Sequence, residues 1–237
     1  MASQKTPVSP PFGASHRVVT GVYYNILTKK SKCCRVHRFV RTSPIGYTNP
    51  MKLVIGLGNP EKQYTGTRHN VGFAVLDEYA RSNDLSFTRS SKFRGDIAEK
   101  GTGEHKVLFL KPSTYYNLVG ESARAVCDFY RILPQDVLII HDDLALPLGT
   151  LRTRLGGSSA GNNGVKSLTQ HLGEDTTRLR VGIYSDQREY MDAADFVLSK
   201  FNAKERATLE RLQHVAEVCI EDFIYGNLTP MTHSAEA

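Results

Sequence analysis

From residue 51 onward, short apolar runs alternate with longer stretches whose apolar residues recur every three or four positions. The run 52–57, Lys-Leu-Val-Ile-Gly-Leu, is apolar at successive positions. That is the pattern of a strand covered on both faces, and 137–141, Val-Leu-Ile-Ile-His, repeats it. The spacing predicts a helix over 70–81 with Val71, Val75, Leu76 and Tyr79 on one side. A second helix is expected over 117–131 with Leu118, Val126 and Phe129 inward, and Pro134 ends that stretch. Residues 92–100 and 106–111 read as paired strands about a turn at 101–104. A polar strand at 150–154, a helix over 163–172, a strand over 179–184 and a helix over 203–225 complete the pattern. The last helix carries Leu209, Leu212, Val215, Ala216, Cys219 and Phe223 as its buried stripe. Strands alternating with helices predict an α/β fold, a single three-layer domain over 51–226 with a mixed central sheet and helices on both faces. Residues 227–237 show no pattern and are expected to form a disordered tail.

Charge changes this picture at the N-terminus. The chain has 237 residues and a formal net charge of +6, but the excess is local. Eight of the 30 basic residues and none of the 24 acidic ones lie in 1–50, leaving 22 against 24 in the rest. A polyanion site in the folded body must therefore be a local patch. Within 1–50, Arg35, Arg38 and Arg41 alternate with Val36, Phe39 and Val40. On a helix this places a basic face against an apolar one, the character of an organelle transit peptide. The competing reading is an extension without function, with Met51 as the true start. The apolar patch 18–27 is too short and polar to span a bilayer, so no membrane association is expected. Cys33 and Cys34 are adjacent, Cys127 and Cys219 sit in helical patterns, and no C-x-x-C occurs. These features predict a reducing compartment with core thiols and no structural zinc. No H-E-x-x-H is present either, so no metal site is expected.

Candidate chemistry gathers where strands end. Gly56-Leu-Gly58-Asn-Pro-Glu61 opens like a dinucleotide fingerprint, but Glu61 stands where a third small residue is needed, and nucleotide binding is not expected. The glycines are expected to permit a tight turn, with the Asn59 amide directed into a cleft. His69 follows that turn, and Asp142 lies where the apolar strand from 137 ends in His-Asp-Asp. A histidine neutral near pH 7 can take a proton from water, and a carboxylate on its other nitrogen fixes the tautomer. Gly157-Ser-Ser-Ala-Gly161 matches the nucleophile elbow G-x-S-x-G with Ser159 as the serine. It lacks the apolar strand before and the helix directly after, so it reads as a loop able to approach phosphate. Arg152, Arg154, Lys166, Arg178 and Arg180 surround it, opposed only by Glu174 and Asp175, a local patch suited to a phosphate backbone.

Taken together, Gly-Leu-Gly-Asn-Pro at 56–60, Y-x-x-T-R-H-N at 64–70, Pro-Ser-Thr-Tyr-Tyr-Asn-Leu at 112–118, the His-Asp-Asp-Leu strand end and Asn-Asn-Gly-Val-Lys at 162–166 resemble bacterial-type peptidyl-tRNA hydrolase. The likeness runs from Met51 to about Gly226. The resemblance implies cleavage of the ester between a peptide and tRNA on a single α/β domain, as a monomer, without metal or cofactor. It implies His69 as general base, Asp142 as its orienting carboxylate, and Asn59 as the amide that distinguishes blocked from free aminoacyl groups. Asn117 and Asn163 correspond to substrate-positioning amides, and Tyr64 and Tyr115 to aromatics at the tRNA 3′ end. Arg154 and Arg180 correspond to contacts with the tRNA body. The expected partner is tRNA carrying a nascent peptide, in ribosome rescue, and the expected address is mitochondrial, with cytoplasm or plastid as alternatives. Three departures stand out: Tyr116 replaces a usual methionine, Asn162 a frequent histidine, and Ser158-Ser159-Ala160 a more glycine- and histidine-rich run. A non-catalytic RNA-binding protein of the same fold and a serine hydrolase using Ser159 are the alternative functions.

Overall fold

A computed structural model describes residues 51–235. Segment 1–50 lies outside the described residues, and with it the targeting expectation. The core strands are β1 (Lys52–Gly56) and β5 (Val137–Pro147), which run parallel with Gly56 opposite Ile140. Alternate residues along them face opposite layers. Val54, Leu138 and Ile140 pack on one side, and Leu53, Ile55, Val137 and Ile139 on the other. Both faces are covered, which is why these runs are apolar without alternation. The described strands form one sheet in the order β2-β3-β4-β1-β5-β7-β6-β8, where β2 is Thr88–Ser90, β3 Gly95–Lys100, β4 Val107–Pro112, β6 Thr150–Leu155, β7 Thr177–Tyr184 and β8 Thr232–Ser234. β4, β1, β5 and β7 are parallel neighbours, while β2, β3, β6 and β8 pair antiparallel. The sheet is mixed, as expected.

Helices cover both faces. α1 (Val71–Ser82), α4 (Ala193–Leu198) and α5 (Ala203–Ile224) pack on the Val54 face; α2 (Val119–Tyr130) and α3 (Asn163–Leu172) pack on the Leu53 face. After β1 the chain moves through α1 to β4, on one side of β1. After β4 it passes through α2 to β5, on the other side. That reversal opens a crevice at the carboxyl ends of β1 and β5.

Several expectations are corrected. α2 begins only at Val119, after a 3-10 turn at Tyr116–Leu118. Leu118 and Phe129 are exposed, while Val126 is buried as expected and shares its stripe with Val119, Ala123 and Cys127. β5 does not end at His-Asp-Asp but continues to Pro147, because β7 supplies partners past the end of β1. The tail after Gly226 is not patternless throughout, since β8 pairs with β6 and completes the sheet edge. β2 and α4 are too short to show a period. Cys127 and Cys219 are buried and free, and burial pushes their thiols up to about 12 and about 11. Among the described residues no helix is long and apolar enough to cross a membrane.

Candidate active site

The glycines of the first motif act by absence of bulk rather than by turning. A Cβ on Gly56 would lie 2.6 Å from the Gly72 carbonyl oxygen, and one on Gly58 would lie 2.8 Å from the Phe73 ring. A Cβ on Gly72 would lie 2.4 Å from the Ile140 carbonyl oxygen. Neither Gly56 nor Gly58 has a positive φ. The start of α1 therefore presses directly on the ends of β1 and β5, and the 3-10 turn Arg68–Asn70 that precedes it delivers His69 to the crevice. Asn70 locks this turn to the first motif, its Nδ2 donating to the Asn59 carbonyl and its Oδ1 accepting from the Asn59 N–H, both at 2.9 Å.

Arg68 anchors the same turn from beneath. Its guanidinium is fully buried, donates to both carboxylate oxygens of Glu205 at 2.9 and 3.1 Å, and lies over the rings of Phe196 and Phe201. Glu205 also closes the capping box of α5 with Asn202. Burial alone would raise the Glu205 carboxyl. The Arg68 hydrogen bond and the Asn202 N–H outweigh it and hold the group below the usual carboxylate range. The motif Thr-Arg-His-Asn thus carries a structural arginine directly before the candidate base.

His69 Nδ1 lies 3.0 Å from Asp142 Oδ2. Asp142 projects from the part of β5 that outruns β1, and its side chain is 4% exposed against 16% for His69. Desolvation pushes the Asp142 carboxyl upward, but the hydrogen bond and charge of His69, the nearby His141 and the Tyr116 hydroxyl prevail, so it stays below the ordinary carboxylate value. A carboxylate only accepts, so Nδ1 carries the proton and Nε2 is left as the acceptor. Tyr116 donates to Asp142 Oδ1 at 2.8 Å, and Asn162 Nδ2 reaches the same oxygen at 3.1 Å.

This pair opens into a cleft of about 710 Å³ whose lining includes Asn59, Asn117, Asn163 and Ser159. Among the described residues the side-chain amides of Asn59, Asn117 and Asn163 take no hydrogen-bond partner. Asn162, one of the three departures, is instead fully committed: it caps α3 by accepting from Val165 N–H at 3.0 Å and donates toward Asp142 and Tyr116. α4, invisible to periodicity, supplies an apolar wall with Ala193, Ala194, Val197 and Leu198. Ser159 has no histidine on its hydroxyl among the described residues. His214, the histidine that follows Ser159 on α5, lies in a groove between α1 and α5 and not in the cleft that Ser159 lines. The elbow reading therefore has no base.

The remaining candidates lie outside the cleft lining. Tyr115 is exposed and Tyr64 half-buried in the turn at Lys62–Tyr64. Arg154 is exposed and packs over Gly157. Arg180 is mostly buried and donates its Nε to Asp143. Arg178 is buried and holds the glycine-serine loop through the Ser158 carbonyl at 2.6 Å. Among the described residues no cluster of three metal-ligating side chains occurs.

Comparison with known proteins points the same way. A family model described as peptidyl-tRNA hydrolase matches residues 53–236. The peptidyl-tRNA hydrolase of Chlorobium limicola is 45% identical over 185 residues, covering 77% of this chain and 97% of that protein. That of Geobacillus thermodenitrificans is 46% identical over 171 residues, covering 71% and 91%. The crystal structure of peptidyl-tRNA hydrolase from Acinetobacter baumannii superposes with a TM-score of 0.69 at 31% identity, over 76% of this chain and 91% of that one. With the family model spanning the whole described domain and the relatives nearly half identical, this chain belongs to the peptidyl-tRNA hydrolase family.

Proposed function

We propose that this chain hydrolyses the ester joining a peptide to the 3′ end of tRNA, with His69 as general base for the attacking water. The reading is carried by the 3.0 Å contact of His69 with Asp142, inside a cleft edged by three uncommitted amides. His69 Nε2 takes a proton as the water oxygen bonds to the ester carbon. The imidazolium so formed is stabilised by Asp142, and returns the proton to the departing ribose oxygen. Asn59, Asn117 and Asn163 supply neutral donors for the developing oxyanion and for the peptide amide. A free aminoacyl group has no peptide carbonyl to meet them and carries a charge they cannot neutralise.

Outside the cleft, Arg154 and the terminal nitrogens of Arg180 face the phosphate backbone, and Tyr64 and Tyr115 the 3′ end. The enzyme acts as a monomer on peptidyl-tRNA released from stalled ribosomes, and the acid-free composition of 1–50 supports a mitochondrial address. The test is release of amino acid from N-acetylated against free aminoacyl-tRNA. The blocked substrate is cleaved and the free one spared, and His69→Ala lowers kcat by about 10³-fold while tRNA binding persists. Binding without release by the unaltered chain would leave a non-catalytic RNA-binding role, and full turnover by His69→Ala would remove the mechanism.

A further inference from the structure

Tyr116 does more at this site than fill space. Its ring lies against the His69 imidazole with centroids 3.6 Å apart and planes 24° from parallel, and its hydroxyl is 2.8 Å from Asp142 Oδ1. The residue is buried, on the 3-10 turn that leads into α2. We propose that Tyr116 is a positioning residue for the hydrolysis, its ring fixing the plane of the base and its hydroxyl fixing the carboxylate that orients the base. This rests on the function proposed above.

The direction of every hydrogen bond in the network follows from one fixed point. Val165 N–H, in the first turn of α3, donates to Asn162 Oδ1 at 3.0 Å. The Asn162 amide is thereby oriented, and its Nδ2 can only donate. It reaches the Tyr116 hydroxyl oxygen and Asp142 Oδ1, each at 3.1 Å. Tyr116 accepts from Asn162, so its own O–H is free to point at Asp142. Two donors therefore meet on Oδ1, and the third, His69 Nδ1–H, has Oδ2 to itself. The cap of one helix sets the proton pattern of the dyad.

The packing is built around the phenol. A Cβ on Gly164 would lie 2.5 Å from Tyr116 Cε1, so only glycine at that point of α3 lets the ring slide under the imidazole. At van der Waals separation the imidazole cannot turn about its Cβ–Cγ bond without losing that contact. The neighbouring charges are already taken. His141 bonds through Nδ1 to the Asp142 carbonyl and is kept neutral by burial, Asp143 is paired with Arg180, Arg68 with Glu205, and Arg178 with the Ser158 carbonyl. Removing the phenol oxygen takes one donor from Asp142 and one acceptor from Asn162, whose amide keeps its bonds to Val165 N–H and Asp142 Oδ1. The carboxylate then becomes more basic and holds the imidazolium more tightly, so His69 keeps its proton to a higher pH.

The test compares the full chain with Tyr116→Phe and Tyr116→Leu on N-acetylated aminoacyl-tRNA across pH, with the His69 ring titration followed by NMR. Tyr116→Phe keeps the stack and loses the hydroxyl. Expected are a kcat lower by about tenfold, an unchanged KM, and an acid limb of kcat/KM and a His69 midpoint both moved to higher pH. Tyr116→Leu loses the stack as well, and kcat falls by about a hundredfold. A Tyr116→Phe enzyme with wild-type kcat and midpoint would overturn the proposal. So would a loss of rate that follows a lowered Tm while the midpoint stays put, since a merely structural residue would behave that way. The NMR midpoint does not depend on turnover. If it shifts in a chain that releases no peptide, the functional reading fails and the coupling of Tyr116 to the dyad stands.

Discussion

Around Asp142 both carboxylate oxygens are taken, one by His69 and the other by Tyr116 and Asn162. On β6 and β7, by contrast, Arg152 lies opposite Arg180 and Arg154 opposite Arg178. Like charges across a strand pair cost stability. Burial, then the proximity of Arg154 and Arg180, push the Arg178 guanidinium below its ordinary value. The first region is closed by its own partners and has a fixed geometry. The second holds positive charge with too little negative charge to balance it, and Asp143, taken by Arg180, answers only part of the excess. A base must be held in place before substrate arrives, whereas a polyanion brings its own counter-charge.

The largest effect should come from breaking the anchor of the closed region. Arg68→Met leaves Glu205 buried without its cation, at a cost of about 3–5 kcal/mol, read by urea unfolding at pH 7. The pH dependence has a definite sign. Glu205 has a folded pKa below its unfolded one, so its stabilisation is present above the unfolded value and is lost as pH falls through the folded value. The gap between wild type and Arg68→Met should therefore narrow in acid. A gap independent of pH, or an unchanged unfolding midpoint at pH 7, would count against Arg68 as the anchor.

Asp142→Asn tests the donor count. An amide has a single acceptor oxygen, while His69 on one side and Tyr116 with Asn162 on the other all donate. If the NH₂ end turns to His69, the imidazole must reverse its tautomer and lose Nε2 as the base. A kcat lower by about a hundredfold or more is expected at unchanged tRNA affinity, and a wild-type rate would take Asp142 out of the mechanism.

The smallest effect belongs to the open region. Arg154→Ala should raise KM severalfold without touching kcat, and should flatten the dependence of log K on log salt by about one unit. A fall in kcat at constant KM would show that the two regions are not separable in the way the charges indicate.

Much of this was readable along the chain. Continuous apolar runs marked the doubly covered strands β1 and β5, and periodic stripes located α1 and α5, because those patterns reflect one element's own surroundings. His69 and Asp142 stood out because apolar runs break into polar groups there, although β5 itself runs on past Asp142 to Pro147. Packing of one segment on another was not visible. Periodicity placed Leu118 and Phe129 inward, but α2 begins later and turns other residues to the core. Gly56 and Gly58 looked like turn residues, and only the approach of α1 shows that they make room.

The succession of the longer strands and helices, and the presence of His69 and Asp142 beside two of those strands, were determined by local sequence, through side-chain periodicity and turn chemistry, whereas β2, α4 and β8 left no such mark. The tertiary structure alone decided that Arg68 reaches Glu205 across the domain, that Tyr116 slides under His69, and that Asn162 turns its amide inward. The physical reason is that a hydrogen bond or a ring contact between residues far apart in sequence leaves no period in either segment, and exists only once the sheet has brought them together.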